Sequence, residues 1–553
     1  MASVSAPHPQ NEGKGRGAAT ARRTSKPRRQ SDQRVHLLHA DVLYFNERIN
    51  SEAQILVGHV RFRHDGVILT CDSALFYQEQ NNFDAFGHVK MNQGDTLTLT
   101  SEVLFYDGTQ QLAQARENVI LTHYDSKLYC DSLNYDRFEN LGYFFDGGKL
   151  VDKENTLTSE WGQYSPATRE AVFNYNVDLK NPDFTLLSDT LHYNTGSGFA
   201  RIVGPSNLDN GDNHIYSENG TYDTRSGRAY LLDRSIVSNL GTSIEGDSLY
   251  YQKDSALSKA YGNVVYIDKD NRNEFRGHYA LYSDSLGYAE AADSAVCIDY
   301  SQPDTFYIHA DSFKLYTYYI DTDSMHRELR AYRHVRAYRI DIQAVCDSLV
   351  FHSIDSCLTL YRDPILWQHG QQLLGEEIKA WMNDSTIDST HVIRQTLSVE
   401  RIDSACYNQI AGNIMRSYFR GKQMYLSTVE GNVLVNYFPF DSDSLMIGMI
   451  HAEGNLLHLF MDNKKVDKIK FDGSADGRMH PLALIPPKER YLENFAWFDY
   501  VRPRDKNDIF EWRPKREGTE LKASVLPTPK KPSAAAAEKR SGKGASKRQL
   551  VRK

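Results

Sequence analysis

The sequence predicts an all-β protein: an elongated repeat of about twelve two-strand units. Three observations carry this. First, an acidic residue followed four positions later by an aromatic recurs at a near-fixed pitch. The acidic anchors are Asp41, Asp72, Glu102, Asp131, Glu160, Asp189, Glu218 and Asp247, and successive steps between them are 31, 30 and then 29 throughout. Second, no window holds the 3.6-residue apolar period of a helix. Third, β-rich runs alternate with turn signals such as Asp65-Gly66, Gln93-Gly94-Asp95, Asp107-Gly108 and Asp146-Gly147-Gly148. A chain of this kind offers a long surface to bind along, rather than one pocket for chemistry.

The elements follow in chain order. Residues 1–35 carry eight Lys/Arg against two Asp/Glu and few apolar side chains, so they read as a disordered basic tail. The repeat array spans 36–395. In its second unit Val67 to Tyr77 is a strand, Gln78 to Asn82 a break, and Phe83 to Asn92 an alternating strand with Ala85, Val89 and Met91 on one parity. Turns this short favour antiparallel neighbours, because parallel pairing needs longer crossovers. The pattern weakens through His278/Tyr282, Asp311/Leu315, Asp347/Phe351 and Glu377/Trp381. Residues 396–500 read as closing repeats. Residues 501–553, with sixteen Lys/Arg and six Asp/Glu, read as a second disordered basic tail. The whole chain is −8, which leaves −24 for residues 36–500. That acidic body argues against a nucleic-acid groove, while the tails suit solvent or anionic lipid headgroups.

Side-chain parity places the anchor acid, the residue two on and the aromatic four on along one strand face. The expected apolar lining comprises Phe76, Val89, Leu104, Tyr106, Val119, Leu133, Tyr135, Leu191, Tyr193, Leu249, Tyr251 and Val264. These residues form either a packed core between two sheet faces or an interior groove for an apolar ligand. The residue before each anchor is small, as at Cys71, Ser101, Cys130, Ser159, Ser188, Ser217, Gly246 and Cys346, which implies a tight bend where two faces meet. Three of the six cysteines therefore belong to this small-residue column, and neither a disulfide framework nor a metal site is expected. His36, His39 and Asp41 have a loose metal-like spacing but sit at a strand edge. The acids are spread along the chain, whereas catalysis needs unlike groups that converge, so no enzyme and no cofactor is expected. No apolar run reaches the ~18–20 residues of a membrane helix, and Met1 to Arg34 lacks the apolar stretch of a secretory signal.

The ordered motifs resemble the OstA-like family of periplasmic lipopolysaccharide-transport (Lpt) proteins, in its large form from Bacteroidetes-type bacteria. The similarity rests on Gly87-His88-Val89 leading to Ser101-Glu102-Val103-Leu104-Phe105-Tyr106, on Tyr261-Gly262-Asn263-Val264, and on the closing Val429-Glu430-Gly431-Asn432-Val433, Ala452-Glu453-Gly454-Asn455 and Ile469-Lys470-Phe471. The resemblance implies a β-sheet folded into a V whose greasy interior carries lipid A acyl chains to the outer membrane. It also implies a periplasmic location and end-to-end joining to other Lpt-type proteins, or to itself, through exposed terminal strands. The competing reading is a structural or adhesive β-solenoid with a filled core and no lipid. A polysaccharide-processing β-helix would need acids and bases clustered on neighbouring rungs, and the sequence offers none.

Overall fold

A computed structural model describes residues 34–519, apart from 212, 254–256, 284, 321, 369, 384–385, 422 and 463–464. Thirty-three strands and three single-turn 3-10 segments make up its regular structure, with no α-helix among the described residues. Strands adjacent in sequence pair antiparallel: Val67–Tyr77 with Asn82–Gln93, and that strand in turn with Leu97–Asp107. The chain divides into two compact units. One holds residues 1–153 and 161–168, the other 154–160 and 169–553. The boundary expected between 395 and 396 falls inside a continuous strand, Ile387–Arg401.

Each repeat bends at a β-bulge. In the strand Asn82–Gln93, Phe86 faces Val103 and Val89 faces Ser101, so Gly87 and His88 together oppose Glu102. This two-against-one count inserts one residue and kinks the strand. Both bulge residues are left-handed, at φ +73° and +45°. The same pair of conformations recurs at Gly58-His59, Tyr175-Asn176, Gly262-Asn263 and Arg394-Gln395. Side chains other than glycine rarely adopt positive φ, and Asn and His are among those that tolerate it best.

The bulge corrects one expectation. An extra residue on one strand shifts the in/out alternation of its partner by one. Along Leu97–Asp107 the buried residues are Leu97, Leu99 and Ser101 before Glu102, then Leu104 and Tyr106 after it. The anchor acid thus shares number parity with Leu104 and Tyr106 but faces out at the bend. Small residues before it close the inside of the corner. Ser101, Ser188 and Ser217 each donate a hydroxyl hydrogen bond to the carbonyl two residues on, across the anchor, at 2.8–2.9 Å.

Within each unit the sheet doubles back along this corner column, giving two arms that face each other. In the first unit Phe62, past the corner of its strand, stacks on Phe83 of the opposite arm with centroids 4.3 Å apart. In the second, Phe184 meets Tyr222 edge-on at 4.9 Å and Phe275 meets Phe313 at 6.1 Å. This is the folded β-sheet that the resemblance implied.

The second unit also carries a strap that the sequence reading missed. Residues 482–515 run over the outer face of one arm. The arm's polar side chains hold the strap's backbone: Asn436 to the Glu489 carbonyl at 2.8 Å, Gln409 to Arg490 at 3.0 Å, Gln372 to Ala496 at 2.9 Å and Arg336 to Val501 at 3.1 Å. Leu492, Phe498 and Val501 bury against Val345, Ile365, Trp367 and Val399. Such apolar burial contributes about 25 cal/mol per Å². The expected tail from 501 is therefore structured at its start: Val501 and Ile509 are buried, and Lys515 pairs with Asp363 at 2.5 Å. Residues 1–33 and 520–553, the rest of the expected tails, lie outside the described residues.

Candidate functional site

The twelve side chains expected to line a groove all point between the arms. Eleven are closed off from solvent: Phe76, Val89, Leu104, Tyr106, Val119, Leu133, Tyr135, Leu191, Tyr193, Leu249 and Val264 are each at most 5% exposed. Tyr251 is half-buried. At these repeats the interior is packed.

The tyrosines four residues after the anchors fasten the two arms at their open ends. The Tyr106 hydroxyl lies 2.7 Å from His64 Nδ1, and Tyr164 lies 2.7 Å from His123 Nδ1. In the second unit the Asn155 amide donates to the Tyr193 hydroxyl at 2.9 Å. Each bond joins the end of one arm to the end of the other. Burial pushes the Tyr135 phenol up to about 12, so it stays protonated and able to donate.

Farther along, the fastening residues change. The equivalent positions in the second unit become Leu315 and Phe351, which carry no hydroxyl. There the arms enclose an open cavity of about 680 Å³. One wall presents Tyr282, Leu315, Leu329, Leu349, Phe351 and Leu358; the other presents Phe275, Cys297, Ile308, Ala337, Ile342 and Ala344. Polar groups gather toward the strand ends: Asp268, Asp299, Thr317, Arg327, Arg339 and Ser353. Asp268 is held by Asn271 through its backbone N–H at 2.9 Å and its amide at 2.7 Å, and Arg339 by Asp341 at 2.6 Å. Burial pushes the nearby Tyr266 phenol up to about 12, with Asp268 adding to the rise and Arg327 opposing it. None of the twelve expected residues lines this cavity. No single repeat position marks it in the sequence: the fourth position after the anchor is Tyr282, Leu315 and Phe351 at the cavity, and already Phe76 in the packed stretch.

The anchor acids form the outer corner. Asp41 accepts from His59 at 2.8 Å and lies 3.2 Å from His39, while Asp72 meets His88 at 2.7 Å. Asp247 accepts from Asn263 at 2.9 Å and Asp311 meets His334 at 3.0 Å. In the last of these expected repeats the corner acid is Glu376, one residue before the predicted Glu377; it accepts from Arg394 and Gln395 at 2.7 Å each. Trp381 consequently faces away from the inward column. The six cysteines are free thiols, and burial pushes those of Cys71 and Cys130 up to about 12. Among the described residues no three His, Cys, Asp or Glu side chains gather as a metal site, and no helix is long and apolar enough to cross a membrane.

The repeating unit in the first part of the chain is a bulged strand, a turn, and a small-acid-x-apolar-x-aromatic strand. Residues 32–189 match the OstA-like protein family. The match covers under a third of the chain. No curated protein matches it. The OstA-like stretch contains the corners from Gly58-His59 to Tyr175-Asn176 and the fastened tyrosines Tyr106 and Tyr164. The same corner continues beyond it, and the cavity lies among those later repeats.

Proposed function

We propose that this protein is a lipid-binding bridge that carries lipopolysaccharide across the periplasm for outer-membrane assembly. The observation that carries this reading is the apolar cavity between the arms of the second unit, with polar groups at its open end. An amphiphile matches that polarity: acyl chains against Phe275, Ile308, Leu329 and Phe351, and a headgroup at Arg327 and Thr317. Each methylene removed from water contributes about 0.8 kcal/mol. Neighbouring rungs with similar apolar linings hold a chain at similar depth, which suits passage along the sheet. The OstA-like match supports a role in lipid or lipopolysaccharide transport, and with it the periplasmic location and Lpt-type partners. On this reading the protein is not an enzyme and needs no cofactor.

The packed stretch then belongs to the same path in its closed state, with Leu104, Leu133, Leu191 and Leu249 lining it when the arms part. Those residues also favour the second reading, a structural β-solenoid with a filled core, because their side chains leave no room as they stand.

Photo-crosslinkers placed in cells separate the two. At the cavity positions Leu315, Leu329 and Phe351 they should capture lipopolysaccharide; at the outward neighbours Lys314, Arg330 and Val350 they should not. Capture also at Leu104 and Leu133 would extend the path through the packed repeats. Equal labelling of inward and outward positions, or none at either, would leave the filled solenoid as the better account.

A further inference from the structure

We propose that the strap is a brace that holds the cavity of the second unit open, so that filling the cavity and docking the strap favour each other. This rests on the cavity being the lipid site. Two inward side chains of the strapped wall are short. Ala337, the third residue past its bulge, stands where earlier repeats carry Met91, Leu121 and Leu179. Ala344, three residues before Asp347, stands where Leu69, Leu99 and Leu128 precede their own anchor acids. The earlier side chains are buried between the arms, whereas the two alanines line the cavity. Apolar walls that face each other across such a gap gain contacts and shed water by closing, so an open cavity needs something that opposes closure.

The strap supplies packing on the other face of the same strands. Leu366 lines the cavity, while its neighbours Ile365 and Trp367 bury under Leu492, Phe498 and Val501 of the strap. Ala344 and Val345 divide in the same way. Ala337 lines the cavity beside Arg336, which donates to the Val501 and Asp508 carbonyls at 3.1 and 3.2 Å. At the matching outer positions of a packed repeat, Thr98 and Thr100 are only half-buried. Two fully buried glutamines grip the strap as a neighbouring strand would. Gln372 donates to the Ala496 carbonyl at 2.9 Å and accepts from the Phe498 N–H at 2.8 Å. Gln409 does the same with Arg490 at 3.0 Å and Leu492 at 2.8 Å. Release of the strap leaves these amides without their partners, which is costly. The wall therefore cannot move toward the opposite arm without drawing its outer face away from the strap. Coupling of this kind is reciprocal: a ligand that holds the arms apart strengthens the strap's hold by the factor by which the strap strengthens ligand binding.

The test uses the full chain and cis-parinaric acid, a fatty acid that fluoresces in apolar surroundings. Ala344→Trp fills the cavity and should abolish its binding. Binding to the unaltered chain should slow amide exchange at Leu492 and Phe498, on the face of the arm away from the probe. Exchange in the packed repeats around Leu104 and Leu133 should stay as it was. In the other direction, Leu492→Ser combined with Phe498→Ser should weaken parinaric acid binding about tenfold. The exchange measurement uses the unaltered chain, so it decides the matter even if the serine variant fails to fold. Parinaric acid that binds, is blocked by Ala344→Trp and leaves strap exchange unchanged would overturn the brace, while the cavity would stand as the lipid site. Slowing of equal size in the packed repeats would also overturn the brace, because it would mark general stabilisation by ligand. No binding, or binding that Ala344→Trp leaves intact, would overturn the cavity reading and the brace with it.

Discussion

At the scale of single residues, the corner column explains why acids recur where no chemistry is done. A left-handed bulge exposes polar groups at the bend, and the acid opposite binds them. Where the first bulge residue is glycine, the acid sits over it: a Cβ at Gly87 would lie 2.5 Å from Asp72 Oδ2. Gly87→Ala should therefore cost about 1–3 kcal/mol, read by urea unfolding. Gly94→Ala is the control, since it shares a positive φ but has no atom within 4 Å, and it should cost less. The histidines report the electrostatics. The hydrogen bond to Asp72, then its charge, raises the His88 pKa, and Asp41 does the same for His59. A raised folded value means this contribution is complete below the ordinary histidine value of about 6.5 and fades as pH rises through the folded midpoint. NMR titration should place both midpoints above 6.5, and Asp72→Asn should return His88 toward it. A His88 midpoint unmoved by Asp72→Asn would show that the carboxylate is not the cause.

At the scale of the elements, one position in the repeat ties several of the packed arms together. Tyrosine four residues after the anchor reaches across to His64, His123 or Asn155, while Leu315 and Phe351 at that position have no hydroxyl to do so. Removing one such hydroxyl should cost about 1 kcal/mol and leave the ring in place. Tyr106→Phe with Tyr164→Phe should accordingly keep the fold but speed amide exchange at the strand ends near His64 and His123. The corresponding arms near Leu315 and Phe351 should already exchange quickly. Wild-type exchange in the double variant would mean that apolar packing alone holds the arms closed.

At the scale of the whole molecule, the strands at the two edges of the described sheet each pair on one side among the described residues: His36–His39 and Val42–Asn46 at the start, Lys465–Pro481 at the end. Val42–Asn46 pairs with Asn50–His64, and Lys465–Pro481 with Gly448–Asp462. Unpaired edges recruit strands from other chains. The first edge is greasy, with Val42, Leu43 and Phe45 each more than half exposed. The last is studded with charge, including Lys468, Lys470, Asp472 and Asp476. Proline at Leu43 or at Ile469 removes a backbone donor. Each should weaken association, seen by analytical ultracentrifugation, while circular dichroism remains that of a folded β-protein. Association unaffected by both prolines but lost on deleting residues 1–33 would assign the contact to that segment.

The sequence by itself determined the repeat and its elements. Alternation with period two and short turns are local properties, so strands such as Val67–Tyr77 and the turns between them were legible residue by residue. The small column of Cys71, Ser101 and Ser188 likewise announced a bend. Three features were decided only in the tertiary structure. The face of the anchor acid depends on a bulge in the neighbouring strand, which shifts the alternation by one. How the packed arms are tied depends on groups such as Tyr106 and His64, 42 residues apart, meeting across the two arms. The strap depends on contacts longer still, with Arg336 reaching Val501 over 165 residues. Local periodicity carries no information about distances of that kind, because it fixes which way a side chain points and not what stands opposite it.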